Sequence, residues 1–126
     1  MVTTWPKDFP GLGTSAKRLA DKINKASKGQ INIKVYGSGE LVPAYESFDA
    51  VRNGVADMCH DSPYYWISKH PATVFFSTLP SGLSALEQTS WLLHGGGQEL
   101  WNELYDRFNL VAFPSGNAGL QMFGWF

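Results

Sequence analysis

The sequence predicts an α/β domain with a largely parallel sheet and flanking helices, and three observations carry that prediction. Apolar stretches at residues 1–5, 31–36 and 55–60 read as short strands. Segments of helical period lie between and after them, so strand and helix alternate in the order that builds parallel sheets. The stretches that follow the strands are rich in Gly, Pro, Trp and Tyr, the composition expected of loops that line a ligand crevice at the carboxyl ends of such a sheet.

The first strand, residues 1–5, is closed by a loop punctuated by Pro6, Pro10 and Gly11. Leu12, Ala16, Leu19, Ala20, Ile23 and Ala26 then recur at helical spacing, and Gly29 supplies the stop. Ile31, Ile33 and Val35 alternate with Asn32, Lys34 and Tyr36, the period of a half-buried strand. After a loop at residues 37–42, Pro43 suits the first turn of a helix whose apolar side is Ala44, Phe48 and Val51, ended by Asn53-Gly54. Residues 55–60 form the third strand, broken by Asp61-Ser62-Pro63 before the aromatic run Tyr64-Tyr65-Trp66. Ser84-Ala85-Leu86-Glu87 is a capping box, predicting a helix from there to about Leu93, and Gly95-Gly96-Gly97 interrupts it. A further helix carries Leu100, Trp101, Leu104, Tyr105 and Phe108 on one side, and residues 110–113 read as a strand. The segment from Asn117 to Phe126 reads as a terminal aromatic strand with an amide, Gln121, at its middle. Its Gly124-Trp125-Phe126 ending lacks the polar, loosely held residues usual at a domain terminus, so the chain is expected to be a piece of a longer protein, cut where a strand leaves.

The 126 residues suffice for a single α/β domain with a real core. At 14% the aromatic content is high, and with five Trp it suits a concave site as well as a core. Ten basic and eleven acidic residues give a net charge of −1 with no basic run, so nothing tracks a phosphate backbone and no nucleic-acid partner is expected. No apolar run reaches membrane-spanning length. Cys59 is the single cysteine, which excludes an internal disulfide and multi-cysteine metal sites.

Several constellations have an ordinary reading that outweighs the chemical one. His94-Gly95-Gly96-Gly97 has the look of an esterase oxyanion loop, but that chemistry needs a serine on a Gly-x-Ser-x-Gly elbow, and the chain has none. The glycines therefore read as a helix break. His60, Asp61, His70 and His94 match no ligand spacing, and the Gly37-Ser38-Gly39 turn lacks the Gly-Lys-Ser/Thr ending of a phosphate loop. Tyr64-Tyr65-Trp66 differs, since three consecutive aromatics cannot all face one core and at least one is expected to stand half exposed as a wall with a polar tip.

Taken in order, Trp5-Pro6-Lys7-Asp8-Phe9-Pro10-Gly11, Gly39-Glu40-Leu41-Val42-Pro43-Ala44, Phe48-Asp49-Ala50-Val51, Tyr65-Trp66, Gly95-Gly96-Gly97-Gln98-Glu99-Leu100-Trp101 and Gly119-Leu120-Gln121-Met122 resemble the solute-binding proteins of TRAP (tripartite ATP-independent periplasmic) transporters, in the branch that binds 2-oxo acids and related monocarboxylates. The resemblance implies most of the first domain of a two-domain, hinged, periplasmic-binding-protein-like fold, truncated at the hinge strand. It implies capture of a small organic anion in the periplasm and delivery to sodium-driven TRAP membrane subunits, with no bond made or broken and with domain closure as the working step. In that branch a glutamine helps hold a cation bridging to the substrate carboxylate, and Gln121 occupies the matching position. An amide oxygen suits a hard cation such as Na⁺ or Ca²⁺. With the resemblance in hand, Asn117 and Tyr65 are expected to hydrogen-bond ligand or cation shell, and Trp5, Phe9 and Trp66 to wall the cleft.

The family's arginine that grips the carboxylate would lie beyond Phe126, and Arg18, Arg52 and Arg107 fall in helical segments. Ala118 and Phe123 stand where the family commonly has threonine and glycine, and the ring of Phe123 either narrows the site or packs elsewhere. Two rival readings remain at this stage: a small α/β enzyme using His60, Asp61 or His94, and an interaction module whose exposed C-terminal strand pairs with another chain, giving a dimer.

Overall fold

A computed structural model describes residues 1–119. The chain gathers into two compact units, Met1–Asp61 and a second beginning at Ser62.

In the first unit, β1 (Val2–Thr3) and β2 (Cys59–His60) pair in parallel, Val2 opposite Cys59 and Thr3 opposite His60, and Tyr36 bridges Val2 in parallel on the other flank. The parallel sheet expected from the alternation is present, with strands shorter than the apolar stretches. The reason is that neighbouring helices take the backbone groups a sheet would use. Asn24 of α1 (Leu12–Ala26) accepts from the Ile33 N–H at 2.7 Å and donates to the Ile33 carbonyl at 3.3 Å, and the Ser27 hydroxyl serves both backbone groups of Ile31. At the third stretch, the N–H groups of Val55 and Ala56 both reach the Ala50 carbonyl at the end of α2 (Ser47–Arg52). Helix α1 buries Gly13, Ala16 and Ala20, small residues, and at Gly13 the backbone of the Pro6–Lys7 loop lies directly against it. A 3₁₀ turn at Ala44–Glu46 precedes α2, whose Ser47 and Phe48 are buried.

In the second unit, 3₁₀ segments at Pro63–Trp66 and Pro71–Phe76 pack together, each opening on a proline whose missing N–H costs nothing in a first turn. The second of these has no counterpart in the sequence reading. The ring of His70 caps it, Nδ1 accepting from the Ala72 N–H at 3.1 Å. Helix α3 (Ala85–His94) starts at the expected capping box, with the Ser84 N–H donating to Glu87 at 2.8 Å and the Ser84 hydroxyl accepting from the Glu87 N–H at 3.4 Å. The break falls at the glycines: Gly96 takes φ 84°, and a Cβ on Gly97 would stand 2.7 Å from the Trp91 ring. Helix α4 (Gly97–Asp106) follows, three residues earlier than its apolar stripe suggests. Phe76 lies parallel to both Trp91 (5.8 Å) and Trp101 (5.5 Å), and Tyr105 meets Trp101 edge-on, an aromatic stack that forms the core of this unit with Trp66, Leu92 and Leu104.

The expected strand at residues 110–113 is not formed. Its backbone is held by α4 instead, the Leu110 N–H reaching the Tyr105 carbonyl and Gln98 donating to the Ala112 carbonyl at 2.7 Å. Residues 117–119 also have no strand structure, and the rest of the expected terminal strand, Gln121 and Phe123 included, lies outside the described residues.

Candidate functional site

Parallel pairing puts the carboxyl ends of β1, Tyr36 and β2 at one edge, so the loops beginning at Thr4, Gly37 and Asp61 leave the sheet side by side. This is the position where open α/β sheets bind ligands. The first loop carries two of the expected site residues, Trp5 and Phe9, and it is pinned tightly. The Trp5 carbonyl accepts from the Ser38 N–H at 3.1 Å, and the Phe9 carbonyl accepts from the N–H groups of Gly13 and Thr14, capping α1. Two glycines receive the loop backbone: a Cβ on Gly13 would stand 2.0 Å from the Pro6 carbonyl oxygen, and one on Gly37 would stand 3.1 Å from the Lys7 nitrogen. Lys7 pairs with Glu40 at 2.6 Å, and Glu40 also accepts from the Gly37 N–H at 3.0 Å. The Lys7 hydrogen bond, then that of Gly37, hold the Glu40 carboxyl below its ordinary range. Trp5 is half-buried with its ring edge-to-face with His60 at 5.5 Å, while Phe9 is 47% exposed.

Sequence reasoning placed His60 among scattered polar residues; the structure puts it against Trp5. Its Nε2 lies 3.1 Å from the Ser15 hydroxyl, a spacing that superficially suits a nucleophile and its base. The proton count argues otherwise. Ser15 has one hydroxyl proton and a competing acceptor for it in the Leu12 carbonyl at 2.8 Å; when the proton is given there, the Ser15 oxygen accepts from Nε2. In that arrangement Nε2 is a donor and does not act as a base toward the serine. Burial pushes the His60 pKa down, against opposing effects of Asp61 and the Leu12 carbonyl. Cys59 is no better a nucleophile, since burial first and then Asp61 push its thiol up.

A pH dependence follows from His60. Its pKa is lower folded than unfolded, so the unfolded chain takes up the proton first as pH falls. Stability attributable to His60 is full above about pH 6.5 and is lost as pH drops through the lower folded value. Urea unfolding at pH 7.5 and 5.5 is expected to show a drop that shrinks in His60→Gln; equal drops in both proteins would exclude His60 as the cause.

In the second unit, Tyr64 and Tyr65 are both half-buried with their rings 4.5 Å apart, so the three consecutive aromatics divide between core and surface. Trp66 is 1% exposed and belongs to the core, its ring edge-on to Tyr65 at 6.2 Å. Asn117 is exposed, and its side-chain oxygen accepts from the Gly119 N–H at 2.7 Å, closing a local turn. A cavity of about 770 Å³ beside α3 and α4, walled by Phe75, Leu79, Leu83, Trp91 and Leu100, contains none of the expected site residues that lie among the described ones. Phe75, Leu83 and Leu100 are each about half exposed there, which no pattern in the sequence signals. Among the described residues no group of three or more His, Cys, Asp or Glu is placed to hold a metal ion, and Gln121 lies outside them.

Comparison with known proteins adds an independent line. The family of bacterial extracellular solute-binding proteins, family 7, matches residues 1–125. The chain is 43% identical over 129 residues to a monocarboxylate 2-oxoacid-binding periplasmic protein of Nostoc sp. (strain PCC 7120), a match covering all of this chain and 34% of that protein. Its fold superposes with a TM-score of 0.95 and 36% identity on a TRAP transporter solute-binding protein from Bordetella bronchiseptica RB50, over 100% of this chain and 38% of that one. That crystal structure is a mixed-occupancy dimer, with copurified calcium and picolinate in one active site and the other site apo. It superposes equally, at 0.95 and 39% identity, on a TRAP periplasmic solute-binding protein from Pseudoalteromonas atlantica T6c with bound sodium and pyruvate, over 99% of this chain and 38% of that one. The chain therefore spans about a third of the length of these relatives.

Proposed function

Since the chain belongs to the bacterial extracellular solute-binding protein family 7, we propose that it is part of the extracytoplasmic subunit of a TRAP transporter that captures a small 2-oxo or 2-hydroxy monocarboxylate through a bridging cation. The observation that carries this reading is the pairing of ligand and ion in the relatives, pyruvate with sodium and picolinate with calcium. Pyruvate and picolinate share a carboxylate with a second donor atom on the adjacent carbon, so each can close a five-membered chelate on a hard cation. A 2-hydroxy acid has the same arrangement. Amide and carboxylate oxygens suit Na⁺ or Ca²⁺, so Gln121 serves the cation in this proposal.

Asn117 and Tyr65 hydrogen-bond the ligand or the cation's shell, Trp5 and Phe9 form apolar walls, and Trp66 acts from the core as the support of Tyr65. The pinned loop favours this use, because a wall held by Gly13, Gly37 and the Lys7–Glu40 pair needs little ordering when ligand arrives. The subunit works in the periplasm, binds without turning the ligand over, and hands it to sodium-driven membrane subunits. The dimer of the Bordetella relative favours self-association as the assembly to test first.

Gln121→Ala in the full-length protein is expected to weaken pyruvate binding in the presence of calcium by about tenfold or more. Titration calorimetry measures this directly. Unchanged affinity removes Gln121 from the site, and absence of binding by the unaltered protein removes the 2-oxo acid.

A further inference from the structure

We infer that His60 is a positioning residue for the ligand-facing indole of Trp5, with Ser15 as its anchor. The inference rests on the proposal above that Trp5 walls the solute site. Three constraints meet at the imidazole. Its backbone is set by strand pairing, with Thr3 opposite His60 and the His60 carbonyl accepting from the Thr4 N–H at 3.2 Å. Its rotation is set by Ser15, whose hydroxyl lies 3.1 Å from Nε2 and is itself held by the Leu12 carbonyl at 2.8 Å. Its ring then stands at 66° to the Trp5 indole with centroids 5.5 Å apart, an edge-to-face pair.

His60 as a residue is 8% exposed, so it does not itself present a group to solvent or solute. Trp5, two residues past the end of the paired β1, is only half-buried and does. The loop's backbone clamps place the Cα of Trp5, while the direction of its ring depends on what the ring rests against. His60 supplies an edge-to-face neighbour whose own angle is held from α1 through Ser15. The chain Leu12, Ser15, His60, Trp5 thus transmits the position of the first helix turn to the wall of the site.

The test is a double-mutant cycle in the full-length protein, with pyruvate and calcium as the probe. His60→Gln keeps an N–H near the Nε2 position and removes the ring. It is expected to weaken binding about threefold to tenfold when Trp5 is present, and to have no further effect in the Trp5→Ala background. Equal effects in both backgrounds, or none in the first, overturn the inference. A second readout does not need ligand. In protein labelled with 5-fluorotryptophan, the Trp5 resonance, identified by its loss in Trp5→Ala, is expected to shift in His60→Gln. It is also expected to shift in Ser15→Ala, a change that a helix accepts easily. A Trp5 signal unmoved in Ser15→Ala overturns the inference even if His60→Gln fails to fold. If the unaltered protein does not bind pyruvate with calcium, the proposed function fails and the fluorine spectra alone decide the role of His60.

Discussion

Trp66→Ala is expected to lower the unfolding free energy by about 3–5 kcal/mol, the cost of removing a large aromatic from a packed interior. The side chain is 1% exposed and is the largest of the fully buried ones. It sits in the 3₁₀ segment Pro63–Trp66, where its backbone carbonyl also accepts from the N–H groups of Lys69 and His70. The cavity left cannot be filled by sliding a helix, because the segment is short and already braced against Pro71–Phe76. Tyr65→Ala, at a half-buried position, is expected to cost much less stability and more affinity. Urea titrations followed by circular dichroism, paired with calorimetry for ligand, separate the two. A loss below about 1 kcal/mol for Trp66→Ala would return it to the role of an exposed wall.

Gly13→Ala is expected to cost about 2 kcal/mol or more, although alanine is by itself the better helix former by about 1 kcal/mol. The new methyl would lie 2.0 Å from the Pro6 oxygen and 2.8 Å from the Lys7 oxygen, both backbone atoms with no rotamer through which to escape. Either the loop lifts from α1 or α1 moves from the sheet. If the loop lifts, Trp5 and Phe9 move with it, so affinity in the full-length protein should fall together with stability. Gly11→Ala is the contrast, since space there is open and the cost comes from φ 77° instead. Unaltered stability in Gly13→Ala would show that the loop is not seated on the helix.

These two sites also show how much of the molecule could be read in advance. Helix α1, the capping box of α3 and the break at the glycines were legible because each depends on residues within a turn of one another. The strand lengths were not. Whether Ile33 bonds to a strand or to Asn24 depends on a side chain nine residues earlier that reaches across the α1 terminus. Residues 110–113 have a strand's composition, yet Gln98 and Tyr105 claim their backbone from α4. Within Tyr64-Tyr65-Trp66 the pattern requires division between core and surface without saying which ring goes where.

The order of apolar periods and glycines determined that this chain is α/β with a parallel sheet, and where its loops fall, because helical and extended repeats bury different faces. The ordered motifs also placed it within its family. Tertiary structure decided what the loops hold. Ser15 and His60 are 45 residues apart and meet because β2, paired to β1, comes against α1 at this contact. Gly13 looks like any helix glycine until Pro6 is laid on it. Contacts of that kind depend on which backbones come within a few ångströms, and a one-dimensional pattern holds periods and caps but not those distances.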